Sequence, residues 1–293
     1  MTSPNTSLLQ IEGLSVVFDH GKPTAHRALD GVSLTIGEGE IIGLVGESGS
    51  GKTVLSHSIL GLLPRNGRVS GGRILWKGRE LQDLSEKELR PIRGKEIAMI
   101  FQDPQASLNP VYPVGRQIEW VLKLHRGISG SEAEKELLRL FESVNLRDPQ
   151  RVARSYPHEL SGGMCQRIMI AMALACQPLL LIADEPTSAL DVKTQSGIID
   201  LLMEIRRQMS IAILFVSHDL RTIRSLCNEV VIMSAGTASQ RHALAATSKT
   251  IELDELEKLL HGSDKLIHDG ANTVEYTRAQ ARPIKHTVIS STN

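Results

Sequence analysis

Short apolar runs alternating with helical stretches set the pattern of this chain. Leu8 to Val17 and Leu29 to Ile36 flank a polar turn at Asp19 to Thr24, which predicts two short strands. Ile41-Ile42-Gly43-Leu44-Val45 is a continuous apolar run, and Val54, Leu55, Ile59 and Leu62 follow it at helical spacing. A buried strand there leads through a glycine-rich link into a helix. Gly67 to Gly72 reads as turn material and Gly72 to Lys77 as a further strand, while Ile97 to Phe101 is another run of the buried type that stops at Gln102.

From Asp103 to Leu160 the character becomes polar, helical and punctuated by proline. Asp103-Pro104 and Asn109-Pro110 break the chain, and Val114, Ile118, Val121 and Leu122 then line one helical face. Ser131 with Glu134 predicts a capping box, with Leu137, Phe141 and Val144 following at helical spacing. This segment is a helical insert. A helix from Cys165 to about Cys176, a buried strand at Leu179 to Ala183, a helix from Thr194 to Arg207 and a buried strand at Ile211 to Val216 come next. Val230 to Met233 is a last short strand, and Gly236 ends the pattern. Ile251, Leu253, Leu256, Leu259 and Leu260 mark one short amphipathic helix, and Gly262 to Asn293 reads as a mobile end without chemistry. Buried strands alternating with helices make this an α/β chain.

Composition narrows the class. The chain has 293 residues, enough for one large domain with an insertion or for two smaller ones, and a 41% hydrophobic content is that of an ordinary globular protein. Lys plus Arg and Asp plus Glu are 33 each, a balance that gives no sign of a nucleic-acid-binding face. Three scattered cysteines, Cys165, Cys176 and Cys227, suit a reducing compartment rather than a disulfide scaffold or a Cys-x-x-Cys metal site. Met1 to Gln10 carries no basic residue ahead of an apolar stretch, so a secretory signal is not expected. No apolar run reaches the roughly 18 residues of a membrane span. Any attachment to a membrane must come through something else.

The chemistry concentrates at the ends of the buried strands. Gly46-Glu47-Ser48-Gly49-Ser50-Gly51-Lys52-Thr53 fits G-x-x-x-x-G-K-[ST] between a strand and a helix. Glycines let successive N–H groups turn inward onto phosphate oxygens, and the helix start adds its positive end. Lys52 suits the outer phosphates and the Thr53 hydroxyl suits Mg2+. Phe18 is either a flat face for a nucleotide base or a core residue. Gln102 is either a surface residue or one that reaches a metal or an attacking water. Ser161-Gly162-Gly163 at a helix start form a second anion site or an ordinary loop. Asp184 and Glu185, at the end of a parallel strand, are either an acidic turn or a pair in which one carboxylate holds Mg2+ through water and the other polarises the attacking water. His218 ends a strand at the same sheet edge as Asp184 and Lys52. Three strands delivering polar residues to one edge make a catalytic crevice.

Taken together, residues from Leu8 to about Gly236 resemble the ATP-binding subunit of an ABC transporter, with the motifs in the family's order. The resemblance implies a P-loop NTPase (RecA-like) parallel-sheet core with an N-terminal antiparallel β subdomain and a helical insert. It implies one domain over 1–240, with the core at about 1–102 and 166–240 and the helical subdomain at about 103–165, and an extension over 241–293. By position it makes Phe18 the base-stacking aromatic, Gly46 to Thr53 the Walker A loop and Gln102 the Q-loop glutamine. Leu160 to Met164 becomes the signature, Asp184 and Glu185 the Walker B pair, Ser188 to Asp191 the D-loop, and His218 the switch histidine. ATP and Mg2+ are the implied cofactors: Asp191 joins the nucleotide-binding set, and Thr53, Gln102 and Asp184 the metal set.

The stretch from Phe101 to Pro110 and the run from Gly162 to Ala175 are similar to importers of dipeptides, oligopeptides, nickel and opines, including Met164 where ABC proteins generally carry glutamine. Cys165 stands where arginine is common. Nothing from Thr237 onward matches the His-Pro-Tyr-Thr segment common in peptide-importer ATPases, and no cysteine beyond Cys227 suggests an iron-sulfur cluster. The resemblance implies a head-to-tail pair of such subunits, each nucleotide held between one Walker A loop and the partner's signature. It further implies two transmembrane permease subunits, an extracytoplasmic solute-binding protein acting indirectly, and a peripheral place on the cytoplasmic face of the cell (inner) membrane. The expected function is ATP-powered import of a small peptide or similar solute. The alternatives are nickel or opine import, or a regulatory ATP-binding subunit with weak turnover.

Overall fold

A computed structural model describes residues 7–244. The predicted helix around Ile251 to Leu260 and the predicted mobile end lie outside the described residues.

Two sheets stack with helices around them. The first has the order β2-β1-β4-β5 and is antiparallel: β1 Ser7–Phe18, β2 His26–Gly37, β4 Gly67–Trp76 and β5 Arg79–Glu80. The second has the order β10-β9-β3-β8-β7-β6, with β11 also on β9. Its central strands, β3 Ile41–Gly46, β6 Ile97–Ile100, β7 Leu180–Asp184, β8 Ala212–Ser217 and β9 Glu229–Ser234, are parallel, and β10 Thr237–Ala238 and β11 His242–Ala243 add to β9 antiparallel. Every residue of β3, β6, β7 and β8 is buried, which is why these strands read as continuous apolar runs rather than alternating ones.

Alternate residues of β3 divide between two cores. Ile42 and Leu44 pack toward the antiparallel sheet with Leu9, Ile11 and Leu14, while Ile41 and Val45 face the other side with Ile168, Phe215 and Ile223. Helices supply the rest: α1 Lys52–Ile59, α2 Glu86–Leu89, α3 Pro104–Ser107, α4 Val114–Arg126, α5 Ser131–Ser143, α6 Pro149–Arg154, α7 Gly162–Leu174, α8 Val192–Gln208 and α9 Leu220–Leu226. Those from α3 to α6 lie consecutively between β6 and the signature stretch, with a short 3-10 turn at Pro157–Glu159. Phe141 of α5 and Ile118 and Leu122 of α4 are fully buried among them. Among the described residues no helix is long and apolar enough to cross a membrane.

Three local expectations change. The stretch expected as a turn at 67–72 is the first part of β4, because its alternating half-exposed residues pair with β1. Gly72 marks a bulge there: its φ is +75°, and a Cβ on it would lie 2.3 Å from the Gly13 carbonyl oxygen, where the β1–β4 register shifts between Glu12 and Ser15. The capping box expected at Ser131 does not form. Gly130 takes the N-cap position and Ser131 is already helical, whereas Ser85 and Glu88 make such a box ahead of α2. The pattern also continues past Gly236, whose positive φ of 82° turns the chain back from β9 into β10.

Candidate functional site

The carboxyl ends of β3, β7 and β8 and the end of β6 meet at one edge of the parallel sheet, the position at which open α/β sheets bind ligands. From β3 the chain enters the loop at Gly46, where a Cβ would lie 2.3 Å from the Met233 carbonyl oxygen, so only glycine fits against β9. Gly49 and Gly51 take φ of 86° and 103°. α1 starts at Lys52 with no side-chain cap on its first turn, which leaves backbone N–H groups facing the loop's interior. Lys52 is 5% exposed, and its Nζ donates to the carbonyl oxygens of Gly46 at 2.8 Å and Glu47 at 2.9 Å. Burial pushes the Lys52 ammonium below its ordinary pKa, and the charges of Glu185 and Asp184 work against that shift.

Asp184 closes β7 and is 2% exposed, with no hydrogen-bond partner at its Oδ1. Burial raises its pKa, and the neighbouring Thr53 hydroxyl pulls the other way. A buried carboxylate oxygen without a donor is costly unless a cation or ordered water meets it. The oxygen donors of Asp184, Thr53 and Gln102 suit a hard ion such as Mg2+. Mg2+ is bound through one or two carboxylates plus phosphates and water rather than by a protein cage. No cluster of three or more His, Cys, Asp or Glu that would hold a metal occurs among the described residues.

Glu185 stands at the turn after β7 with a φ of 46°, a conformation uncommon outside glycine, held by its N–H donating to the Val216 carbonyl at 3.0 Å. Its carboxylate collects the other two candidates. Gln102 Nε2 donates to Glu185 Oε2 at 3.0 Å, and His218 Nδ1 lies 3.4 Å from Glu185 Oε1. Residues separated by more than eighty positions in sequence thus form one polar constellation. It opens into a cleft of 720 Å³ that Lys52, Thr53, Ser48, Gln102, Glu185 and Phe18 help to line.

The same cleft includes residues that the sequence pattern did not single out: His26, Arg27 and Ala28 from β2, and Ala235 and Gly236 after β9. The hairpin turn at 19–24 was the available signal, because it sets His26 opposite Phe18. Not every predicted residue comes here. Ser161, Gly162 and Gly163 are absent from the lining of the cleft, and the Ser161 hydroxyl caps α7 by accepting from the Met164 N–H at 3.3 Å. Asp191 is also absent from it: its carboxylate caps α8, accepting from the Thr194 N–H at 3.0 Å and the Thr194 hydroxyl at 2.7 Å. These bonds hold Asp191 below the usual carboxylate pKa range. Cys165 is buried with its thiol 3.5 Å from the Pro157 carbonyl oxygen, and burial raises its pKa.

A parallel core with this loop, this lysine and this helix start has the P-loop NTPase fold. The family described as "ABC transporter" matches residues 29–188, and the chain belongs to that family. It is 48% identical over 230 residues to a probable peptide ABC transporter ATP-binding protein of Sinorhizobium fredii, covering 78% of this chain and 68% of the relative. To the dipeptide transport ATP-binding protein DppD of Escherichia coli it is 47% identical over 231 residues, covering 78% and 70%. To the oligopeptide transport ATP-binding protein OppD of Salmonella typhimurium it is 46% identical over 235 residues, covering 80% and 69%. Among solved structures, the dimeric post-hydrolysis state of the ATP-binding cassette MJ0796 bound to ADP and Pi superposes with a TM-score of 0.72 at 30% identity, covering 82% of this chain and 100% of that one.

Proposed function

We propose that this chain binds and hydrolyses ATP to power import of a small peptide or similar solute through separate membrane permease subunits. The observation that carries the reading is the meeting of Gln102 and His218 on the carboxylate of Glu185, with Gln102 and Glu185 lining one cleft together with Lys52. The names of its peptide-transport relatives supply the solute class.

The chain's own groups divide the work. Loop N–H groups and Lys52 hold the outer phosphates, with Lys52 exchanging its two carbonyl acceptors for phosphate oxygens. Thr53, Gln102 and Asp184 hold Mg2+, which when bound neutralises charge on the phosphates. Glu185 orients the attacking water and accepts its proton, and His218 fixes the far side of the Glu185 carboxylate. A loop of this kind neutralises one side of a triphosphate only. The other side belongs to Ser161, Gly162 and Gly163 of a second ATPase subunit, identical or related, arranged head to tail. Asp191 serves this interface by setting the start of α8.

In this reading residues 1–102 and 166–240 form the catalytic core and 103–165 the helical unit that passes motion to the permeases, with 241–293 an extension. The subunit sits peripherally on the cytoplasmic face of the membrane, and an extracytoplasmic solute-binding protein delivers the solute. Proteoliposomes holding the complete complex should take up labelled dipeptide only with ATP inside the ATPase-facing compartment. Lys52→Ala should abolish that uptake and weaken MgATP binding by about 10- to 150-fold in calorimetry, the loss of a charged hydrogen-bond donor. Equal ATP affinity in variant and parent, or uptake indifferent to ATP, overturns the proposal.

A further inference from the structure

Arg167 is a cation held by backbone alone. It stands on α7 one turn beyond Gly163, and its guanidinium spans two other helices: Nη1 donates to the Val144 carbonyl at 2.8 Å and Nη2 to the Gly197 carbonyl at 3.3 Å. It makes no ion pair among the described residues. Burial pushes the guanidinium below its ordinary pKa, so a charge is kept partly out of water without a counter-charge, which is costly. Val144 is the C-cap of α5, where the last carbonyls lack helical partners and a cation is favoured. Gly197 lies within α8, and a Cβ on it would come 3.1 Å from Arg167 Nη2, so the missing side chain leaves the guanidinium its room.

The start of α7 meets α8 at two levels. Gly163 and Arg167 are four apart on α7, and Thr194 and Gly197 are three apart on α8, so each pair occupies one helix face. At the first level the Gly163 backbone closes on Thr194, where a Cβ would lie 2.6 Å from Cγ2, and at the second Arg167 bonds Gly197. α8 is itself fastened to the turn after Glu185: Gln195 Nε2 donates to the Thr187 carbonyl at 2.9 Å, and the Ser188 N–H donates to the Glu185 carbonyl at 3.2 Å. One guanidinium thus joins the helical insert, through α5, to the helix that continues from the Glu185 turn. We propose that Arg167 is a positioning residue for ATP turnover, holding the start of α7 in register with α5 and α8 so that Ser161, Gly162 and Gly163 are aimed at a second subunit's nucleotide. This rests on the head-to-tail reading given above. Arg167 is absent from the lining of its own chain's cleft, so its effect falls on the site that the partner completes.

The test compares MgATP affinity of the purified full-length chain, by calorimetry, with steady-state phosphate release by the complete complex whose ATPase subunits both carry the substitution. For Arg167→Ala the affinity of the chain should stay within about twofold of the parent, while turnover of the complex at saturating MgATP falls by about 10- to 100-fold, the cost of misplacing a group at the reacting centre. Arg167→Lys keeps the charge but serves one carbonyl at a time, so its turnover should fall by only about 3- to 10-fold, the worth of one hydrogen bond. If Arg167→Ala does not fold, that split in Arg167→Lys decides the matter. Turnover within twofold of the parent overturns the assignment, as does a loss of MgATP affinity in the chain alone that matches the loss of turnover. Gly162→Asp is the control: its Cβ would meet only Leu190, at 3.7 Å, and it sets a carboxylate where the head-to-tail reading places phosphate. Unchanged turnover in Gly162→Asp overturns that reading and this proposal with it, whereas lost turnover there beside normal turnover in Arg167→Ala overturns the role of Arg167 alone.

Discussion

Replacing Glu185 by glutamine separates chemistry from architecture at this site. The geometry survives the change. The amide oxygen of the new side chain can still accept from Gln102 Nε2, now 3.0 Å from Glu185 Oε2, and its NH2 can donate to an unprotonated His218 Nδ1, now 3.4 Å from Oε1. The strained φ of 46° is no worse for glutamine than for glutamate, and the N–H to the Val216 carbonyl is untouched. What disappears is the proton acceptor. A positioned general base contributes about 10²- to 10⁴-fold, equivalent to about 3–5 kcal/mol of barrier. In Glu185→Gln, steady-state phosphate release from the partner-complete complex should therefore fall by at least about 100-fold, with MgATP affinity by calorimetry within about threefold of the parent. Glu185 contributes to holding the charge on Lys52, so a small change in affinity in either direction is compatible with the role. Turnover within tenfold of the parent, with binding intact, would show that Glu185 is not the base.

Two further outcomes follow from contacts away from the Glu185 carboxylate. Gly163→Ala places a methyl 2.6 Å from Thr194 Cγ2, disturbing the hydroxyl that holds Asp191 at the start of α8. ATP turnover should fall in the single variant and recover in part when Thr194→Ser removes that methyl group, whereas equal activity of single and double variants would contradict the steric account. Glu136 on α5 accepts from Arg139 at 2.8 Å and from Arg126 at 2.7 Å, and Arg126 also reaches the Ala175 carbonyl after α7. The Arg139 bond, joined by Arg126 and opposed by burial, depresses the Glu136 carboxyl from 4.5 to about 2. A depressed carboxyl stabilises the fold fully above its unfolded value of 4.5, and the contribution fades as pH falls through about 2. Glu136→Gln should cost at most about 3 kcal/mol in urea unfolding at pH 7, with parent and variant converging toward pH 2. A gap that does not shrink on acidification would assign the loss to packing.

Much of this protein was legible along the chain because the relevant constraints are local. A strand buried on both faces must be apolar throughout, so β3, β7 and β8 announced themselves, and the turn from β3 into α1 needs its glycines and its lysine at fixed offsets. Ser161 at the start of α7 and Asp184 at the end of β7 were likewise placed by local pattern. Local pattern also misled where a partner strand decides. Residues 67–72 look like a turn in isolation and form a strand because β1 supplies the hydrogen bonds, and Ser131 loses its cap position to Gly130. Contacts between distant segments had no local signature. That Gln102 and His218 close on the same carboxylate, and that the Phe18 ring lies against Gly67 with His26 beside it, follow only from how the sheets stack and pair. Residue spacing carries the chemistry a backbone segment can present. Which face of it remains open is settled by what packs beside it.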